Sequence, residues 1–318
     1  MSTPLSTGRS GSTTLRKFGY SIRIRRLEFF PVHLSAILTA AFLGAASWSD
    51  LGSGPAVAAF VAFVLGVHSG NMANCLADRD MDTIYKSRLA TAVDGLGKRN
   101  VTIQIAISVF LIVLLVGYMT VASGHWDIAV LGIAWLVIGF EYSLPPLRLK
   151  GAGVWQVLTL ATTIALIPGV MIIRAIDAAP PWQVFTAYLG YAVSMMMVSL
   201  VNQAEDVPED ARFGIRTAVR ALGITPAMVL AVTVVTGGAT VFAVSAVALD
   251  APWWAVAVYA VVVVLTLRFL TRIYLGVRGK PVEEAVEVIR RYTKQLPLHG
   301  AGMGWATVLV AVSIFAVR

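Results

Sequence analysis

Residues 101–121 read VTIQIAISVFLIVLLVGYMTV, a stretch without a single Asp, Glu, Lys or Arg. The hydrocarbon core of a bilayer takes about 20 apolar residues as a helix. This run is long enough to cross a membrane, and it decides the fold class. Windows of the same kind recur outward from it. They lie at roughly 29–47, 55–75, 127–141, 154–173, 183–204, 222–247, 252–270 and 299–317. The sequence therefore predicts an all-α membrane protein of about nine transmembrane helices.

The composition agrees. The 318 residues are 58% apolar and 13% charged, against about 45–50% and about 25% in a soluble domain. The mean hydropathy is +0.78. A disordered chain, a secreted disulfide scaffold and an ordinary soluble enzyme are excluded. The single cysteine, Cys75, rules out an intrachain disulfide. Residues 1–47 resemble a cleaved signal peptide only superficially. Their apolar run is long and leads into eight more spans, so a retained first span is expected.

The few charges sort by side. With nine spans, 23 of the 25 basic residues fall on the side of the N-terminus. Only Arg174 and Arg318 fall opposite. By the positive-inside rule the N-terminus faces the cytoplasm and the C-terminus lies outside. The net charge of +8 thus divides into +10 inside and −2 outside. It is not a uniform basicity of the kind that binds nucleic acid. Residues 1–20 are expected to be a disordered, basic cytoplasmic arm, and 21–318 a polytopic transmembrane domain in a cell membrane, with its chemistry at the cytoplasmic face.

The acids that remain inside are patterned. The second span closes on Asn71-Met-Ala-Asn74-Cys-Leu-Ala-Asp78-Arg-Asp80-Met-Asp82. Asn74, Asp78 and Asp82 recur every four residues and share one helix face, with Asn71 a turn earlier. Carboxylates stacked this way repel unless a cation sits between them. An oxygen-only set suits Mg²⁺, which shares its shell among carboxylates, water and substrate phosphates. The spacing recurs where the sixth span closes, at Asn202, Asp206 and Asp210, with Pro208 placed to bend or end the helix. Basic residues follow each motif: Lys86 and Arg88 after the first, Arg212, Arg216 and Arg220 after the second, Arg148 and Lys150 after the fourth span. Two metal sites ringed by cations make a cup that matches a diphosphate.

Two N-x3-D-x3-D motifs, the stretch YSLPPLRLK at 142–150 and about nine spans resemble the UbiA superfamily of intramembrane prenyltransferases. The resemblance runs from about residue 20 to the end. It implies a ring of nine transmembrane helices around a central cavity, with Mg²⁺ as cofactor. The implied reaction passes a prenyl group from a polyprenyl diphosphate to a lipophilic acceptor, aromatic or quinone-type, through an allylic cation. It implies Asn74, Asp78, Asp82, Asn202, Asp206 and Asp210 as the metal set, the four aspartates being catalytic. It implies Lys86, Arg88, Tyr142 and Lys150 on the diphosphate, with Arg212 and Arg216 beside them. One departure is Cys75, where the family often has Asp.

The same residues bear on three other readings. A transporter usually binds near the bilayer midplane on broken helices, whereas these acids gather at one face. A CDP-alcohol-type phosphotransferase needs Asp-Gly-x2-Ala-Arg, and Asp94-Gly95 is followed by Leu-Gly-Lys-Arg. A cyclase that closes the prenyl chain on itself remains an alternative. Residues 282–294 read as an amphipathic surface helix connecting the last two spans.

Overall fold

The computed structural model describes residues 10–177 and 179–318. Among these residues nine helices are long and apolar enough to cross a membrane, and there is no strand. They are Leu27–Gly44, Gly54–Ala77, Lys98–Ser123, Trp126–Ser143, Trp155–Ile176, Trp182–Glu205, Ile224–Ala248, Trp253–Val277 and Leu296–Val317. Each overlaps one of the expected windows. The eighth runs past its window, so Arg268 and Arg272 lie in its last turns and not in the following loop. Both are exposed, since a long arginine stem carries its charge to the interface.

Successive spans pack side by side, and the ninth returns to the first, which closes a ring. The sixth and seventh approach most tightly. A Cβ at Gly190 would stand 2.6 Å from the carbonyl of Gly238, and one at Gly238 would stand 2.6 Å from that of Gly190. The two backbones are in contact, as small residues allow between helices in lipid. The third and fourth spans show lipid their outer faces, including Phe110, Leu114, Ile133 and Val137. Trp48, Trp126, Trp182 and Trp253 each begin a helix at one end of the bundle and are exposed. They form an aromatic belt at that end.

The fifth span is interrupted by a π turn, Thr162–Leu166, just before Pro168. Its second half, Ile167–Ile176, packs on the first, second and fourth spans. This closes the ring at the belt end. The opposite end stays open.

The arm expected to be disordered over 1–20 differs. It carries a helix, Ser10–Ile24, while residues 1–9 lie outside the described ones. Its apolar residues have a surface to cover. Ile24 is buried with Met72, Ala92 and Val93. The Tyr20 ring lies against Gly95, where a Cβ would come within 2.2 Å of it. The partner is the short helix Ser87–Leu96, far along the chain, so local composition does not reveal the docking. The helix Val282–Thr293 forms as expected and buries Ala285, Val286 and Ile289 against the sixth and eighth spans.

Candidate active site

Both acidic motifs lie at the open end, and both break the helix they close. The second span stops at Ala77 and a new helix, Arg79–Tyr85, begins after Asp78. The sixth stops at Glu205 and Val207–Arg212 begins after Asp206. The two joints are alike: φ −94°, ψ 8° at Asp78 and φ −82°, ψ 1° at Asp206. The helical ladder breaks at each joint, although the aspartate itself keeps its i−4 bond. Asp78 N reaches the Asn74 carbonyl at 2.9 Å, and Asp206 N reaches that of Asn202 at 3.2 Å. Asp82 and Asp210 follow in the first turn of each short helix. Pro208 sits in the first turn of the second one, where a missing N–H costs nothing.

The motifs line one cavity of about 340 Å³, together with Lys86, Tyr142 and Lys150. Asn74 Nδ2 donates to Asp78 Oδ2 at 2.9 Å. Lys150 Nζ donates to Asp78 Oδ2, and Arg148 lies 3.8 Å from its other oxygen. Lys86 Nζ lies 3.1 Å from Asp206 Oδ2 and 3.8 Å from Glu209 Oε2. Gln156 Nε2 donates to the Tyr142 hydroxyl at 2.7 Å. The loops are tied around this set. Gly153 N donates to the Arg216 carbonyl at 2.9 Å, and Arg220 donates to the carbonyls of Asp210 and Ile215.

Asp78, Asp82, Glu209 and Asp210 are all buried. Burial, then Asp78, pushes the Asp82 carboxyl up to about 6. Burial, then Asp206, pushes Glu209 up to about 7. Burial pushes Asp210 up to about 6, with Asp206 adding to it. Burial works against the Lys86 ammonium, but Asp206 and Glu209 outweigh it and raise its pKa. Glu209 Oε2 is buried without a hydrogen-bond partner. Buried carboxylates lining one cavity favour positive charge beyond that of Lys86, Lys150 and Arg148. The all-oxygen donor set suits a hard divalent cation. Among the described residues no three His, Cys, Asp or Glu side chains gather around one point. A cation here would complete its shell from ligand and water.

Three expected residues stand apart. Arg88 is exposed and lines a neighbouring pocket, not the cavity. Arg212 and Arg216 are exposed outside it, and the Arg216 carbonyl serves the Gly153 tie. Asn71, on the same face as Asn74, spends its amide on the Arg25 carbonyl at 3.0 Å. Sequence reasoning passed over Arg26, Gln156 and Glu209. Glu209 was visible inside the second motif, and Gln156 as a lone amide opening an apolar run. Arg26 carried no signal, because it reaches the site from a left-handed turn, φ 53°; Arg148, named among the basic residues after the fourth span, arrives from another, φ 44°.

The sequence profile of the UbiA prenyltransferase family matches residues 33–286. No curated protein matches the chain. Among solved structures, a UbiA homolog from Archaeoglobus fulgidus bound to GPP and Mg²⁺ superposes with a TM-score of 0.63. It is 16% identical and aligns over 89% of this chain and 99% of its own. A digeranylgeranylglyceryl phosphate synthase gives a TM-score of 0.63 at 13% identity, over 93% and 99%. An apo UbiA homolog from Aeropyrum pernix K1 gives 0.61 at 16%, over 88% and 98%. At these identities the likeness is one of fold. The chain is an integral membrane protein and belongs to the UbiA prenyltransferase family.

Proposed function

We propose that residues 21–318 act as one domain that transfers a prenyl group from a polyprenyl diphosphate to a lipophilic acceptor, of aromatic or quinone type, with Mg²⁺. The observation that carries this reading is the pairing of two equivalent acid joints, Asp78 and Asp206, on one cavity, each bound to a lysine. The solved relative holding GPP and Mg²⁺ supports it.

Asp78, Asp82, Asp206 and Asp210, with Asn74 and Asn202, would hold the metal, and Glu209 adds a free oxygen. When bound, Mg²⁺ supplies positive charge to the diphosphate as the C–O bond breaks. Lys86 and Lys150 leave their carboxylates for the diphosphate oxygens, and Tyr142, held by Gln156, faces the same space. The prenyl chain lies among Trp135, Val157, Leu160, Ile164, Ala192 and Met196. Those walls offer no strong nucleophile to an allylic cation and keep water from it. The acceptor then attacks the cation and loses a proton.

We place the open end in the cytoplasm and the C-terminus outside, in a cell membrane. The basic residues at the open end support this orientation, and reporter fusions at each terminus test it.

The deciding experiment incubates purified protein with prenyl diphosphates of C10 to C20 and longer, Mg²⁺ and a native lipid extract, and reads product mass. A product of prenyl plus acceptor is expected. Release of diphosphate with a product of prenyl mass alone makes the protein a cyclase. No Mg²⁺-dependent diphosphate release with any chain length overturns the reading.

A further inference from the structure

The helix Ser10–Ile24 has two faces, and the fold uses one of them. Tyr20 and Ile24 dock on the short helix Ser87–Leu96. Ser21 Oγ donates to Gln104 Oε1 of the third span at 2.7 Å. These contacts fix the rotation of the helix. Leu15, Phe18 and Ile22, spaced three and four apart, form one stripe on the remaining face. They are 73%, 65% and 38% exposed. The helix also carries Arg16, Lys17 and Arg23, all exposed, and no acid. On its docking partner, Asp94 is spent on Arg79, whose Nε and second guanidinium nitrogen both reach it at 2.9 Å. The neighbourhood says what covers the stripe. Ser21 flanks it, so the bond to Gln104 sets it beside the start of the third span, where Ile103 and Ile107 face lipid. Lys98 and Arg99, exposed in the first turn of that span, add two cations at the same level.

We propose that helix 10–24 lies in the bilayer surface at the open end and binds anionic lipid. Leu15, Phe18 and Ile22 enter the acyl boundary, while Arg16, Lys17 and Arg23 meet the headgroups. A helix with an apolar stripe between cations seats itself this way. Each cation near the surface adds attraction to acidic headgroups. The occupant is membrane lipid and not a second protein, because the stripe continues a surface that already faces lipid and the helix's charges are all of one sign. The other face of the same helix holds Ser87–Leu96, so the anchor also ties the segment after Lys86 to the membrane surface. The inference goes beyond the prenyl-transfer reading and does not depend on it.

The test places the purified full-length protein in nanodiscs of phosphatidylcholine, with and without phosphatidylglycerol. Discs holding one copy are separated from discs holding two. Hydrogen exchange of residues 10–24 is read by mass spectrometry. Wild type is compared with the double variant Lys17→Gln/Arg23→Gln, which spares the 2.6 Å bond from Arg16 Nε to the Tyr20 hydroxyl, and with Phe18→Ser. The three substituted side chains are exposed, so the docked face stays intact. In single-copy discs, phosphatidylglycerol is expected to slow exchange of the wild-type segment about tenfold or more. The charge variant should lose that lipid dependence, and Phe18→Ser should exchange faster in both lipids. Equal exchange of the wild type in both lipids, or a lipid dependence that survives the charge variant, overturns the proposal. Slowing confined to two-copy discs assigns the stripe to a second copy of the chain, and overturns it as well.

Discussion

Lys86 Nζ stands 3.1 Å from Asp206 Oδ2, joining the segment after the first acidic motif to the joint of the second. Lys150 makes the corresponding contact with Asp78. Each lysine occupies a carboxylate that a metal would use, and we propose that metal and diphosphate enter as a set. Asp78 and Asp206 would hold the metal, and the lysines they release would hold the diphosphate. Lys86→Met is expected to weaken Mg²⁺-dependent binding of a prenyl diphosphate analogue by about 10- to 100-fold, the worth of a charged hydrogen bond. Calorimetry reads it. Unchanged affinity would remove Lys86 from the diphosphate.

Asp78→Asn and Asp206→Asn keep the side-chain shape and remove one charge from each joint. Diphosphate release is expected to fall about 100-fold or more in either variant, since charge at the leaving group is worth several kcal/mol. Helical content and melting in detergent should change little. Full activity in both variants would sink the metal assignment.

The nine spans were legible because each is a long apolar run, and the acid motifs because their four-residue spacing survives the joints, where each aspartate keeps its own i−4 bonds. The joints themselves were half legible. Pro208 announces one, but no Pro or Gly marks the break at Asp78. Which cations face the cavity was not legible. Lys86 and Arg88 differ by two residues, and a new helix starts between them at Ser87. That restart turns Arg88 away toward the neighbouring pocket. The helix of residues 10–24 was hidden for another reason, since the surface that stabilises it is built by residues 72–101.

Proton linkage gives a third test. Asp82 and Asp210 titrate near about 6 and Glu209 near about 7 in the metal-free fold, above the ordinary carboxylate range of about 4. Their raised values mean that their contribution to stability is full below that ordinary range. It is lost as pH rises through about 6 to 7. Mg²⁺ needs the ionised forms, so its effect runs the other way. The rise in melting temperature on adding Mg²⁺ with a prenyl diphosphate analogue should be small near about pH 5.5 and full near about pH 8. A flat or falling profile would show that these acids do not meet the metal.

The last test concerns the cavity wall. In the π turn, Ile167 N bonds to the Thr162 carbonyl, five residues back. The next donor in register belongs to residue 168, which is proline and has none. The Thr163 carbonyl is left over, and the Trp135 indole N–H takes it at 2.7 Å. Trp135→Phe keeps an aromatic ring and strands that carbonyl, at a cost of about 1–3 kcal/mol. A clear drop in melting temperature in detergent is expected. Trp126→Phe is the control. Its ring is exposed in the belt at the start of the same span, and its loss should stay within about 0.5 kcal/mol. Equal effects of the two substitutions would mean that the indole does not hold the π turn. A larger effect at Trp135 would tie the shape of the prenyl cavity to one hydrogen bond that Pro168 makes necessary.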